Sequence, residues 1–230
     1  NKIFAPQIGK NLEVYVDDVI VKSKERENHL NDLRETLENL RTSKLRLNPL
    51  KCTFGVASGK FLGHFVSHKG VEVNPDKAKA ILNMTPPTTT KQIQSLNGRL
   101  TSLRRFISKL AEKSLPFFGA LKGVSKNGVI NWTPECQEAF ESLKSYLVSP
   151  PVLTQPVAGE PLFLYLAVAR EAVSACLVRE DQGKQLPVYY VSHVLRGPEI
   201  RYSATEKVAY SLLLTSRKLR PYFQSHDIQV

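Results

Sequence analysis

The run Leu12-Glu13-Val14-Tyr15-Val16-Asp17-Asp18-Val19-Ile20-Val21-Lys22 constrains the fold more than any other stretch. Its β-branched and aromatic residues favour extended chain. Two adjacent carboxylates in the middle of such a run cannot be buried without partners. The chain therefore turns there, as a hairpin whose tip presents Asp17 and Asp18 to solvent. Paired carboxylates on a rigid turn offer hard oxygen ligands to a divalent cation such as Mg2+, with Mn2+ as a substitute. Metal pairs held in this way activate an attacking oxygen and steady a leaving one in phosphoryl transfer. Aspartate is also common in ordinary turns. The apolar strands on both sides and the basic stretch downstream favour the metal reading.

Beyond the hairpin, Leu30, Leu33, Leu37 and Leu40 recur at helical spacing, with Ser23 as the expected N-cap. Residues 52–56 and 60–66 read as two short strands around Ser58-Gly59. Asn74-Pro75 opens a short helix. After Pro86-Pro87 a long helix is expected over 91–110, with Ile93, Leu96, Leu100, Leu103 and Ile107 on one face. Arg99, Arg104, Arg105 and Lys109 lie on the other. Gly123 to Gly128 reads as a loop. Thr133-Pro134 starts a helix that buries Phe140, Leu143 and Leu147. Pro150-Pro151 and Pro156 form the clearest linker. After it the pattern changes to strands at 161–169, 172–179 and 187–193, with a turn at Gln182-Gly183. A helix over 203–220 and a final strand from Ile228 give a β-β-β-α-β order.

Charge is unevenly spread. The chain carries +11 overall, yet residues 41–126 alone carry +13. Such a block suits a polyanion, because lysine and arginine displace condensed counterions from phosphates. It equally suits a solvated basic surface, and charge alone does not choose. Cys52, Cys136 and Cys176 are far apart, which argues against a zinc site or a disulfide framework. The longest apolar run, Leu162 to Ala169, is too short to span a bilayer, and the first ten residues lack a signal-peptide core. The expectation is an intracellular protein that is not secreted and has no membrane partner.

Tyr15-Val16-Asp17-Asp18 between apolar strands resembles the catalytic turn of reverse transcriptases. Leu47-Asn48-Pro49-Leu50-Lys51-Cys52-Thr53-Phe54 is similar to the segment after the palm helix in gypsy-type long-terminal-repeat retrotransposons. Phe61-Leu62-Gly63-His64-Phe65-Val66-Ser67 resembles their primer-grip hairpin, and Asn74-Pro75-Asp76-Lys77 the entry to the thumb. Trp132-Thr133-Pro134 with Ala139-Phe140 and Leu143-Lys144 resembles the connection helix. Pro187-Val188-Tyr189-Tyr190-Val191-Ser192 and Arg201-Tyr202-Ser203 with Thr205-Glu206-Lys207 are similar to the ribonuclease H-like domain of the same polyproteins.

The resemblance implies an α+β fold. Residues 1–85 would be late palm, 86–156 thumb and connection helices with linker, and 157–230 a truncated ribonuclease H-like β-β-β-α-β domain. It implies RNA-directed DNA synthesis on an RNA/DNA template-primer duplex, with deoxynucleotides and magnesium. Asp17 and Asp18 would be metal ligands, and Lys51 would protonate the departing pyrophosphate. Tyr15 and Val16 would lie near the primer terminus. Phe61, Leu62, Gly63 and His64 would position the primer, and Arg99, Arg104 and Arg105 would track backbone phosphates. Glu206 falls where the family has a metal-binding glutamate. Leu166 stands near the place of an expected aspartate, so no ribonuclease activity is expected. The family's third palm aspartate lies on an earlier strand, so this chain is expected to need the fingers and early palm of the polyprotein for activity. Two other readings stay open on the residues alone: a non-enzymatic nucleic-acid binder that uses the basic thumb, and a ribonuclease H-like protein-interaction module.

Overall fold

A computed structural model describes residues 3–23, 25–123 and 130–230. The chain separates into two units, Asn1–His68 and Lys69–Val230. Of the loop expected from Gly123 to Gly128, only Gly123 lies within the described residues. Among the described residues no helix is long and apolar enough to cross a membrane.

In the first unit the expected hairpin forms from β1 (Leu12–Tyr15) and β2 (Asp18–Val21), antiparallel, with Leu12 opposite Val21 and Tyr15 opposite Asp18. Helix α1 (His29–Thr42) begins later than the sequence suggests. Ser23 does not cap it: its hydroxyl donates to the Asp32 carboxylate instead. Asn28 takes the cap position after a short 3-10 turn over Arg26–Asn28.

The leucine stripe on α1 is also corrected. Leu40 is buried, but Leu30 is 72% and Leu37 41% exposed. The helix turns Thr36 and Leu40 inward. The reason is a polar network: buried Gln7 donates to Thr36 Oγ1 at 3.1 Å and accepts from Asn39 Nδ2 at 2.7 Å, and Asn11 Nδ2 donates to Asp32 at 2.9 Å. Buried polar groups need these partners, so they fix the rotation of the helix where the leucines would have chosen another face. Phe4, Leu12 and Leu40 form the buried apolar cluster, with Val14 and Val21 against it.

The expected strand over 52–56 is absent. A second antiparallel hairpin pairs β3 (Ser58–Phe61) with β4 (His64–Ser67), and its turn is Leu62-Gly63 rather than Ser58-Gly59.

The second unit opens with β5 (Gly70–Glu72), whose Val71 exchanges two backbone hydrogen bonds with Leu153, of 2.8 and 2.9 Å. Helix α2 (Pro75–Leu82) follows, with Asn74 Oδ1 accepting the Asp76 N–H at 3.0 Å. Helix α3 (Thr90–Ser102) is closed by a Thr89–Gln92 capping box. It stops eight residues short of the expected end at 110. Thr101 and Ser102 turn their hydroxyls back onto the carbonyls of Asn97 and Arg99, which competes with helix continuation. Leu103, Phe106 and Ile107 are nevertheless fully buried, so the apolar periodicity persists through a segment that is not helical.

Two short helices that the sequence pattern does not predict come next, α4 (Leu110–Lys113) and α5 (Leu115–Lys122). Helix α6 (Pro134–Val148) starts on a Thr133 cap and buries Phe140, Leu143 and Leu147 as expected. These helices share one core with Ile81, Ile93, Leu96 and Leu100.

After the prolines, β6 (Leu162–Val168), β7 (Ala172–Asp181) and β8 (Lys184–Val194) form a meander, and α7 (Ala204–Lys218) crosses back to it. After α8 (Arg220–Ser225), β9 (Ile228–Gln229) pairs parallel to β6, giving the order β8-β7-β6-β9. The β-β-β-α-β expectation therefore holds, with one additional short helix. Pro187 is tolerated because β8 lies at the end of this order, where a strand has one side without a ladder, and because a bulge opposite Leu177/Val178 interrupts the pairing.

Candidate functional site

Three of the hairpins close two-residue loops on the pairs Tyr15–Asp18, Phe61–His64 and Asp181–Lys184. Leu62-Gly63 has φ of 50° and 75°, and Gln182-Gly183 has 51° and 74°. Positive φ at both central residues is the geometry that matches strand twist, and glycine supplies it at the second place. The acidic hairpin departs from this pattern. Its loop is Val16-Asp17, and Val16 holds φ 53° with no glycine beside it. A β-branched residue in the left-handed region is costly, on the order of 1–3 kcal/mol. Val16 is also 81% exposed, so burial does not repay that cost. Strain of this kind collects where a structure must aim particular groups.

Those groups are Asp17 and Asp18, both exposed at the tip. Asp18 begins β2 directly opposite Tyr15. Its Oδ2 accepts a long hydrogen bond, 3.4 Å, from the backbone N–H of Leu62. The tips of the two hairpins in this unit therefore meet, each carrying a non-glycine residue at positive φ. The family resemblance implies that both segments lie near the chemistry; that the Leu62 amide holds Asp18 is seen only in the structure. The signal that could have found it is Leu-Gly at a tight turn, which turns an amide outward.

Tyr15 and Val16 are exposed beside the carboxylates, Leu62 is exposed, and Phe61, Gly63 and His64 are half-buried around the second turn. Lys51 is exposed at the end of a 3-10 turn over Pro49–Lys51, which Asn48 Oδ1 fixes by accepting the Leu50 N–H at 3.1 Å. Among the described residues no ion pair joins Lys51 to Asp17 or Asp18.

Arg99, Arg104 and Arg105 do not share one helical face, since α3 ends before the last two. Arg99 is exposed and donates to the carbonyl of Ala80. Arg104 is exposed on the turn. Arg105 is half-buried, with its guanidinium over the Tyr189 ring at 4.9 Å and the Phe106 ring at 5.6 Å.

Glu206 closes a capping box: its Oε2 accepts the Ser203 N–H at 2.7 Å, and the Ser203 hydroxyl accepts the Glu206 N–H at 3.3 Å. The Ser203 backbone bond, and then its side chain, hold the Glu206 carboxyl below the usual carboxylate range. Leu166 sits on β6 opposite Ala175.

Among the described residues no group of three or more histidine, cysteine, aspartate or glutamate side chains is placed to hold a metal ion. The fit to a divalent cation rests on the pair at the hairpin tip. Two exposed carboxylates suit magnesium, which takes one or two carboxylates, keeps several waters and completes its shell with substrate phosphates. Asp18 uses only Oδ2 toward Leu62, which leaves Oδ1 free for such a cation.

Comparison with known proteins agrees with this reading of the two ends. Residues 1–66 match the family model described as reverse transcriptase (RNA-dependent DNA polymerase), and residues 132–230 match the RNase H-like domain found in reverse transcriptase. The chain is 31% identical over 228 residues to the retrovirus-related Pol polyprotein from transposon opus of Drosophila melanogaster, covering 96% of this chain and 23% of that protein. It is 28% identical over 226 residues to the transposon Tf2-3 polyprotein of Schizosaccharomyces pombe, covering 98% of this chain and 17% of that protein. The chain thus spans about a fifth of the length of these relatives.

In fold it is similar to the foamy viral protease-reverse transcriptase solved with RNA/DNA hybrid. The TM-score is 0.80 and the identity 24%, with 95% of this chain and 30% of that one covered. The foamy viral form solved with double-stranded DNA has a TM-score of 0.81 and 23% identity, with 96% of this chain and 38% of that one covered. The acidic hairpin, the second hairpin that meets it and the β-β-β-α-β unit therefore belong to one lineage: the chain is a stretch of a gypsy-type retrotransposon polyprotein, reverse transcriptase followed by a ribonuclease H-like domain.

Proposed function

We propose that this chain supplies the late palm (1–85), the thumb and connection (86–156) and a ribonuclease H-like domain (157–230) to RNA-directed DNA synthesis. It would act together with the fingers and early palm of the polyprotein. The observation that carries the reading is the pair Asp17 and Asp18, exposed side by side on a strained hairpin tip, with Asp18 tied to the Leu62 amide of a second hairpin.

Asp17 and Asp18 would hold magnesium, or manganese in its place. When bound, the cation supplies Lewis-acid stabilisation to the attacking and leaving oxygens of nucleotidyl transfer. The protein's own part is orientation. The hairpin fixes the direction of both carboxylates before substrate arrives, which spares that ordering during reaction. Tyr15 and Val16 would border the primer terminus. Phe61, Leu62, Gly63 and His64 would seat the primer strand. Lys51 would give a proton to the departing pyrophosphate, since a leaving oxyanion gains from a nearby acid. Arg99, Arg104 and Arg105 would meet backbone phosphates of the template-primer duplex without reading sequence. Glu206 is engaged at its helix cap and β6 has no carboxylate near Leu166, where the family resemblance expects an aspartate, so the last domain would serve as structure rather than as a nuclease.

The test is primer extension on an RNA template with magnesium and deoxynucleotides. Asp17→Asn or Asp18→Asn in the longer polyprotein should lower extension about 100-fold or more, as loss of a charge-stabilising group does. Binding of the RNA/DNA hybrid should remain. Extension that ignores both substitutions overturns the assignment. The present chain alone should show no extension above background; robust synthesis by it, abolished by Asp17→Asn, would refute its dependence on the upstream segments.

A further inference from the structure

A cluster of unpaired cations lies where the turn after α3 approaches the sheet. Arg105 sends its carbonyl to the N–H of Tyr190 at 3.3 Å and its guanidinium onto the Tyr189 ring. Lys218, in the last turn of α7, brings its amine to 5.9 Å from the centre of the same ring. Arg104 is close enough to Lys218 for like charge to matter: burial first, and Arg104 second, hold the Lys218 amine below the ordinary lysine value.

No ion pair involves any of the three among the described residues. The Nε of Arg105 is buried without a hydrogen-bond partner. A tyrosine face attracts cations but does not neutralise them; each such contact is worth about 0.5–1 kcal/mol when exposed. A lysine at a helix C-terminus is favoured by the dipole, which accounts for Lys218 taken alone. It does not account for two arginines gathered beside it.

Like charges brought together with no carboxylate to balance them destabilise a fold. Their natural complement is an external anion. Residues 91–123 carry seven basic side chains and Glu112 as the one acidic residue, so the surroundings favour an extended polyanion over a single carboxylate.

We infer that Arg104, Arg105 and Lys218 form a clamp for a backbone phosphodiester of a bound nucleic acid, with Tyr189 as the platform that spaces the cations. The clamp draws one cation from the ribonuclease H-like domain and two from the thumb segment, so a single phosphate is gripped from both parts. It rests on the duplex-binding reading above and adds Lys218 and Tyr189 to it.

The experiment is fluorescence anisotropy of a labelled RNA/DNA hybrid with the whole chain, between about 50 and 200 mM salt. Lys218→Gln and Arg104→Gln should each weaken binding at every sequence tested and flatten the plot of log K against log salt by about one. Their double variant should lose less than the sum of the two, because both act on one phosphate. Lys218→Arg should bind like the wild type, which separates loss of charge from loss of fold. Salt-dependent wild-type binding with an unchanged slope in Lys218→Gln overturns the clamp and leaves duplex binding standing. No wild-type binding at any salt overturns both. Loss of affinity for polyglutamate but not for the hybrid overturns the clamp and assigns the surface to an acidic protein.

Discussion

The two units of this chain are built on different principles. In the second, Ile81, Ile93, Leu96, Leu100, Phe106, Phe117 and Phe140 are almost wholly excluded from solvent, and a separate cluster of Leu162, Leu177, Val188 and Leu219 packs the sheet. In the first, Phe4, Leu12 and Leu40 make up the buried cluster, while the Gln7–Thr36–Asn39 hydrogen bonds set how the helix lies. Stability in the second unit comes from burial, which is non-directional and roughly proportional to area. In the first the apolar cluster is small, and polar contacts of about 1 kcal/mol each add little energy but specify one geometry. The difference shows that precise aiming of two carboxylates does not require a large core around them. It requires a few hydrogen bonds that allow one arrangement.

Substitutions can break this contrast or sharpen it. The largest effect belongs to Phe140, fully buried and edge-on to Trp132 at 5.9 Å. Phe140→Ala should destabilise the second unit by about 3–5 kcal/mol. Leu12→Ala should cost about 2–3 kcal/mol, near the low end for leucine, because few neighbours lose contacts. Denaturant unfolding followed by amide hydrogen exchange separates the two. Leu12→Ala should speed exchange in β1, β2 and α1, and Phe140→Ala should speed it in α6 and α3. If both variants move the same amides equally, the units are not independent and the contrast fails.

Next in size is the α7 cap. Ser203→Ala should cost about 1 kcal/mol. The cap also carries a pH signature. The folded Glu206 carboxyl lies below the usual range, so its stabilisation is complete above the ordinary glutamate value and is lost as pH falls through the depressed folded one. Thermal unfolding measured from neutral to acidic pH should therefore show a decline that Glu206→Gln reduces.

The smallest effect is expected at Val16. Val16→Gly removes the left-handed penalty but adds chain entropy, leaving a net gain within about 1 kcal/mol. A clear loss of stability would mean that the valine side chain is held by contacts and not merely tolerated.

Local signals in this sequence were easy to read. Asn74-Pro75, Thr133-Pro134 and Ser203 each open a helix because a cap is decided by the residues that make it. Gln182-Gly183 marks a turn for the same reason, while the acidic loop falls one residue earlier than the Asp17-Asp18 break, at Val16-Asp17, with Asp18 already in β2. What escaped was decided at a distance. The leucine stripe of α1 misled because Gln7, some thirty positions away in the chain, sets which side of the helix faces inward. The run through Leu103 and Ile107 has a helical period without a helix because burial keeps that period after α3 has ended. At the candidate site the acidic pair is legible, and Leu62-Gly63 marks a turn that exposes an amide, but which acceptor that amide meets is set by how the two hairpins pack.

The outer side of β8 has one more consequence. Thr154 donates its N–H to the Pro187 carbonyl at 2.8 Å, and Tyr190 donates to Arg105 at 3.3 Å. Segments from before the sheet thus occupy hydrogen-bonding positions that an eleven-residue border strand would otherwise leave open. Removing the chain up to Pro156 would keep β6, β7, β8 and β9 yet lose that cover, and an uncovered strand edge is a ready template for pairing with another chain.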